Sequence, residues 1–119
     1  LFQKAVDLVA GPFLNDVYMD WAAHDRDRLG QMYLSTLAAL GNLYQSSAQP
    51  EKALEACQRA IYYDPAFELA YQIAMQVHHR LGDQNSVRKT YQACVEEMKR
   101  LVGQPPSLET EELYRRLNA

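Results

Sequence analysis

The side chains that could do chemistry are few, and their spacing argues against a reaction centre. His78 and His79 are adjacent, so on a helix they point about 100° apart and cannot easily share one metal ion. His24 lies far from them in the sequence. The sequence contains no glycine-rich phosphate loop, no Gly-x-Ser-x-Gly elbow and no HExxH motif. We therefore expect no enzyme activity, no cofactor and no metal site.

The carboxylates nearest to one another in the first third of the chain are Asp25 and Asp27, which alternate with Arg26 and Arg28. Alternating charges of this kind are typical of a solvated helix face on which residues three apart can pair. A general acid and base pair would instead need environments that separate the two carboxyl pKa values. The pattern predicts a charged surface and no catalytic site.

Cys57 and Cys94 each stand among apolar residues in a helical pattern. Two cysteines alone cannot form a zinc site, and free cysteine is among the most buried residue types. Both are therefore predicted to be free thiols in the core.

Composition and charge limit the classes of function that remain. The 119 residues are enough for one domain with a core, and the 48% hydrophobic and 23% charged content is ordinary for a globular protein. A net charge of −3 does not suit binding to phosphate groups, so we expect no direct nucleic-acid contact. No apolar run of membrane-spanning length is present, which predicts a cytoplasmic domain with no membrane contact. Because the sequence opens on Leu1 without a methionine, we expect residues 1–119 to be one domain of a longer protein.

Apolar residues recur at steps of three and four throughout, and strand signals are almost absent. The pattern predicts an all-α domain of about six helices. The first covers residues 2–9 and ends at Gly11-Pro12, and the second covers residues 16–45. The third covers residues 51–62 after a first-turn Pro50, and we expect it to pack antiparallel to the second.

The last three helices have start and stop signals. Asp64-Pro65 predicts a helix start, with the aspartate as N-cap, and Gly82 predicts its end. Asp83 is expected to cap the next helix, and Ser107 is expected to be the N-cap of the last.

A shift of 34 residues aligns the middle of the chain with itself and keeps most apolar positions apolar. That period is typical of tetratricopeptide repeats, which need a small residue such as Gly41 where two helices cross. Stacked helix pairs of this kind leave a surface for a peptide or another domain. Tyr44, Tyr71 and His78 are the residues we assign to a candidate partner surface, with a core role for the tyrosines as the alternative.

Several elements in their order resemble the bacterial transcriptional activation domain over nearly the whole chain. They are the run 10–14, then Trp21, Arg26, Leu29, Asp64, Pro65, Glu68, Gly82, Tyr91, the run 102–107, Glu109, Thr110, Leu113 and Tyr114. The positions expected to be structural are Trp21, Arg26, Leu29, Asp64, Pro65, Glu68, Gly82, Pro106 and Ser107. The indole of Trp21 is expected in the core.

The resemblance implies a tetratricopeptide-like right-handed superhelix of helical hairpins. It also implies a non-catalytic regulatory domain, often joined to a winged-helix DNA-binding domain as in regulators of antibiotic production in actinomycetes. Its partners would be other domains of the same regulator, the transcription machinery or a second protomer. A generic tetratricopeptide scaffold or peptide-binding module unrelated to transcription remains the alternative.

Overall fold

The structure is a computed structural model that describes the backbone of residues 16–119 and the side chains of residues 25–119. Within that range all regular structure is helical, which confirms the predicted all-α class. The five helices are α1 (Asp16–Ser46), α2 (Pro50–Tyr63), α3 (Glu68–Arg80), α4 (Gln84–Leu101) and α5 (Leu108–Leu117). The helix predicted at residues 2–9 and the side chain of Trp21 lie outside the described residues.

The chain divides into two compact units, residues 1–36 and residues 37–119. In the first unit, the Arg28 guanidinium donates to Asp25 Oδ1 at 2.6 Å, the pairing at a spacing of three that the charge pattern predicts. Arg26 and Leu29 are half-buried. The second unit contains the last turns of α1 and all of α2 to α5.

Three helices of the second unit meet at Gly41. A methyl group at this position would lie 3.3 Å from Ile73 Cγ2 on α3 and 3.7 Å from Cys57 Sγ on α2. Gly41 precedes the turn between α1 and α2 by about as many residues as Cys57 follows it, so the two helices are antiparallel. The small residue predicted at the helix crossing is therefore confirmed.

Local signals determine the boundary between α3 and α4. The amide of Gly82 donates to His79 O at 3.0 Å, and the amide of Asp83 donates to His78 O at 2.9 Å. This pair of hydrogen bonds requires a residue in the left-handed backbone conformation, and Gly82 adopts it with a φ of +77°. Asp83 then caps α4 by accepting from Ser86 N. The Ser86 hydroxyl also donates to Asp83 Oδ2 at 2.7 Å, and this bond, followed by the one from the amide, lowers the pKa of the Asp83 carboxyl. Both predicted signals are confirmed.

The predicted start of α3 at Asp64-Pro65 is wrong. The helix begins at Glu68, and Phe67 occupies the N-cap position. Asp64 instead turns the chain: its Oδ1 accepts from Ala66 N at 3.0 Å, and its carbonyl accepts from Phe67 N at 3.0 Å. An aspartate followed by proline can bond its own backbone two residues on as readily as it can cap a helix.

Two clusters in the core of the second unit each include a residue of α3. Tyr71, Cys94 and Met98 form the first, with Ile61 and Ala66 packed against them. The second joins α5 to α3 and α4, and its members are Met75, Val87, Leu113, Tyr91, Tyr114 and Leu117. Helix α3 is therefore the central element of the unit, since it packs against α2, α4 and α5.

Candidate protein-binding groove

A surface groove lies between α2 and α4, with α3 as its floor. Its volume is about 370 Å³, near the lower end of the range for ligand-binding clefts. We call it the α2–α4 groove. Its walls are formed by Leu54, Gln58 and Ile61 of α2 and by Lys89, Thr90 and Ala93 of α4.

The groove is apolar along its length and charged towards its ends. His78, in the last turn of α3, and Lys89, near the start of α4, lie at one end because the two helices are antiparallel. Glu97 lines the other end and already pairs with Arg100 at 2.6 Å. The positively charged residue of the groove is the exposed Lys89, whose ammonium group also acts on the nearby Asp83 carboxylate. This arrangement suits an apolar segment of a partner protein better than a small charged substrate.

The three residues of the candidate partner surface have different positions. His78 is half-buried and lines the groove. Tyr44 is half-buried on α1, with Lys52 Nζ 5.7 Å from its ring centroid. Tyr71 also lines the groove, but it is only 2% exposed and belongs to the core, where its hydroxyl donates to Pro65 O at 2.7 Å.

The structure brings together two of the motif residues that lie far apart in the sequence. Glu68 Oε1 accepts from Ser107 N at 2.9 Å, from Ser107 Oγ at 3.1 Å and from Thr110 Oγ1 at 2.7 Å. Gln72 Nε2 in turn donates to Thr110 Oγ1 at 2.9 Å. We call these four residues the Glu68 junction. It attaches the first turn of α5 to the first turn of α3, and the neighbouring Pro106 is buried.

The junction changes the role predicted for Ser107. Ser107 is the N-cap residue of α5 as expected, but its hydroxyl makes no capping bond within its own helix. In a capping box, a glutamate three residues after the N-cap accepts from the N-cap amide. Thr110 occupies that place here, and Glu68 supplies the carboxylate from another helix. A negative charge at this helix end is also favoured by the helix dipole.

Thr110, Tyr91 and Tyr114 were placed in the family motif, but none of their contacts was predicted from the sequence, and Gln72 was assigned no role. The rings of Tyr91 and Tyr114 stack with centroids 3.9 Å apart, and Tyr91 donates from its hydroxyl to the Glu111 carboxylate at 2.7 Å. Burial and this bond raise the pKa of Tyr91 to about 12. The available signal was the helical spacing of the buried face of α5, which consists of Thr110, Leu113, Tyr114 and Leu117.

Asp64, Pro65 and Gly82 neither line the groove nor take part in the Glu68 junction. Gly82 and Asp64 with Pro65 shape the two ends of α3, as described above. Arg26 and Leu29 belong to the first unit. Among the described side chains, no three His, Cys, Asp or Glu residues are grouped as a metal ion would need. None of the helices in that part of the chain is both long enough and apolar enough to cross a membrane.

We expect Glu68 and Thr110 to be energetically coupled. Glu68→Ala should lower the free energy of unfolding by about 1.5–3 kcal/mol, because it leaves the buried Thr110 hydroxyl and the Ser107 donors without their charged acceptor. Thr110→Val should cost about 1–2 kcal/mol for the same reason. The double variant should be less destabilised than the sum of the two, by about 1 kcal/mol in urea denaturation. Glu109→Ala, an exposed change in the same turn, is the control. Strict additivity would show that the two side chains do not interact.

Comparison with known proteins gives one match. The family model for the bacterial transcriptional activator domain matches residues 1–118, nearly the whole chain, in agreement with the resemblance inferred from the sequence motifs. No curated protein and no solved structure matches the chain. The chain belongs to the bacterial transcriptional activator domain family.

Proposed function

We propose that residues 1–119 form a single regulatory domain that controls transcription by binding protein, while a separate domain of the same regulator binds DNA. The family match carries this proposal, because it makes the chain a transcriptional activator domain. The net charge of −3 supports the assignment of DNA binding to a separate domain, since affinity for duplex DNA depends on clustered positive charge. The partner would be another domain of the regulator, the transcription machinery or a second protomer.

The α2–α4 groove is the surface we assign to this partner. Its apolar walls offer Leu54 and Ile61, both half-buried, and its exposed charge is Lys89. The complementary partner is an apolar segment with an acidic side chain facing Lys89. Charges at the rim of such an interface determine which partner binds and how fast, while the apolar contacts provide the affinity.

The proposal is tested in the full-length regulator with a transcriptional reporter and a DNA-binding assay. Deleting residues 1–119 should abolish activation and leave specific DNA binding at least partly intact. Lys89→Glu should reduce activation about tenfold, because it places like charges in contact across the interface. Arg88→Glu is the matched control: it makes the same charge change at an exposed neighbour that does not line the groove.

The midpoint temperature of thermal unfolding should be the same for the two charge variants, since both residues are exposed. Activation that survives the complete deletion would contradict the regulatory role. If Lys89→Glu and Arg88→Glu reduce activation equally, the groove is not the surface that binds the partner.

A further inference from the structure

A second cavity lies at the turn between α1 and α2, beside the end of α3. Its volume is about 290 Å³. We call it the turn cavity. The residues that determine its chemistry are Gln45, Ala48, Pro50, Val77, Arg80 and Leu81. It shares none of its lining residues with the α2–α4 groove.

The walls of the turn cavity are mostly apolar, whereas Gln45, Ser46 and Arg80 supply polar groups. Ala48, Pro50, Val77 and Leu81 contribute only carbon atoms from their side chains. A cavity of about 150 Å³ already holds a benzene molecule, so this one has room for a large apolar side chain and a small polar group beside it. Apolar walls with a few converging polar groups are typical of specific binding sites.

The Arg80 guanidinium has N–H groups that can donate to a further partner. Its side chain is exposed, and its contact with protein is a long bond of 3.4 Å from NH1 to Gln45 O. Both ion pairs among the described residues involve other arginines, Arg28 and Arg100. A guanidinium carries five N–H donors in a planar fork that matches the two oxygens of a carboxylate. The charge at the cavity is therefore complementary to a carboxylate.

The carboxamide of Gln45 completes the pattern at the cavity. Gln45 Nε2 donates at 3.3 Å to Oε1 of Gln76, a residue that does not line the cavity. Gln45 Oε1 then remains as an acceptor on a half-buried side chain. An acceptor in this place suits the N–H of a peptide backbone.

We propose that the turn cavity binds the C-terminal residue of a polypeptide. Its apolar side chain enters the cavity, its carboxylate pairs with Arg80, and its peptide N–H donates to Gln45 Oε1. A chain terminus carries the carboxylate and the apolar side chain on one Cα, so both reach a cavity of this size together. An internal acidic residue would bring the charge without the apolar group. The inference goes beyond the proposed function and uses a different surface.

The test is a titration of the 119-residue chain followed by amide chemical shifts in NMR. The probe is an acetylated Gly-Ser-Gly-Ser-Leu peptide, used once with a free C-terminal carboxylate and once as the C-terminal amide. We expect saturable shifts at residues around the cavity, and binding of the acid about tenfold tighter than that of the amide. Arg80→Gln should abolish this preference. Arg88→Gln, an exposed change on α4 away from the cavity, should leave it unchanged.

Equal affinity for acid and amide, no binding of either peptide, or an unchanged preference in Arg80→Gln would each overturn the proposal. Acetyl-leucine alone serves as a third probe. If it binds as tightly as the acid peptide, the site takes a small apolar carboxylate and the assignment to a polypeptide is wrong. These outcomes do not depend on reporter activation, so this proposal and the proposed function can fail separately.

Discussion

At pH 8, Cys57 and Cys94 of the folded chain are expected to react with an aromatic disulfide reagent at least about 1000-fold more slowly than the same cysteines in the unfolded chain. Burial raises the pKa of both thiols from 9.0 to about 12. Only the thiolate attacks the reagent, and each unit of pKa reduces its population about tenfold at a fixed lower pH. The two side chains are also enclosed in the core, which restricts access further.

The release of the chromophore from the reagent measures this reaction, with the chain in concentrated guanidinium chloride as the unfolded reference. Cys57→Ala and Cys94→Ala assign the rate to each thiol. A thiol whose pKa is raised by folding stabilises the fold below pH 9 and loses that contribution as the pH rises towards 12. Stability should therefore fall in that alkaline range. Labelling of the folded chain at nearly the unfolded rate would mean that the thiols are not buried.

Replacing Tyr71 with alanine is expected to lower the free energy of unfolding by about 3–5 kcal/mol, the usual cost of removing a buried aromatic ring. Tyr71 is 2% exposed and packs in one cluster with Cys94 and Met98, so the change would leave a cavity between α3 and α4. Urea denaturation followed by circular dichroism measures the effect. Since a small domain has only about 5–15 kcal/mol of stability, this change should remove a large fraction of it.

Two matched variants separate the contribution of the Tyr71 ring to stability from that of its hydroxyl. Tyr71→Phe removes only the bond to Pro65 O and should cost about 0.5–1.5 kcal/mol. Tyr62→Ala removes a tyrosine that is 92% exposed and should change stability by less than about 0.5 kcal/mol. A loss in Tyr71→Ala no larger than that in Tyr62→Ala would contradict the core position of Tyr71.

The sequence predicted those parts of the fold that depend on neighbouring residues. Pro50 starts α2, Gly82 ends α3 and Asp83 caps α4, and each signal acts within one helical turn. Asp64 shows the limit of such signals, because the same side chain can cap a helix or close a turn. Which of the two occurs depends on how α2 and α3 pack, and the local residues do not specify that.

The candidate site was less predictable because its contacts join distant parts of the chain. Glu68 and Ser107 were both identified from the family motif, but 39 residues separate them, and periodicity does not reveal such a contact. The sequence did not decide between a core position and a surface position for Tyr71, for a different reason. A helix that packs on several sides has no single apolar face, and α3 buries residues all round, which are Ala70, Tyr71, Ile73, Ala74, Met75 and Val77. Helical spacing alone could not separate its core side from a partner surface.

The Glu68 junction also affects how the end of the chain unfolds. In stacked-helix proteins each element mainly contacts its neighbours in sequence, so the last helix can detach while the rest stays folded. Here α4 separates α3 from α5 in the sequence, yet Glu68 of α3 accepts hydrogen bonds from the first turn of α5. Detaching α5 therefore removes hydrogen bonds from the first residue of α3, in the middle of the unit. We therefore expect α5 and α3 to unfold as one cooperative unit, so slow amide hydrogen exchange should extend to the start of α5.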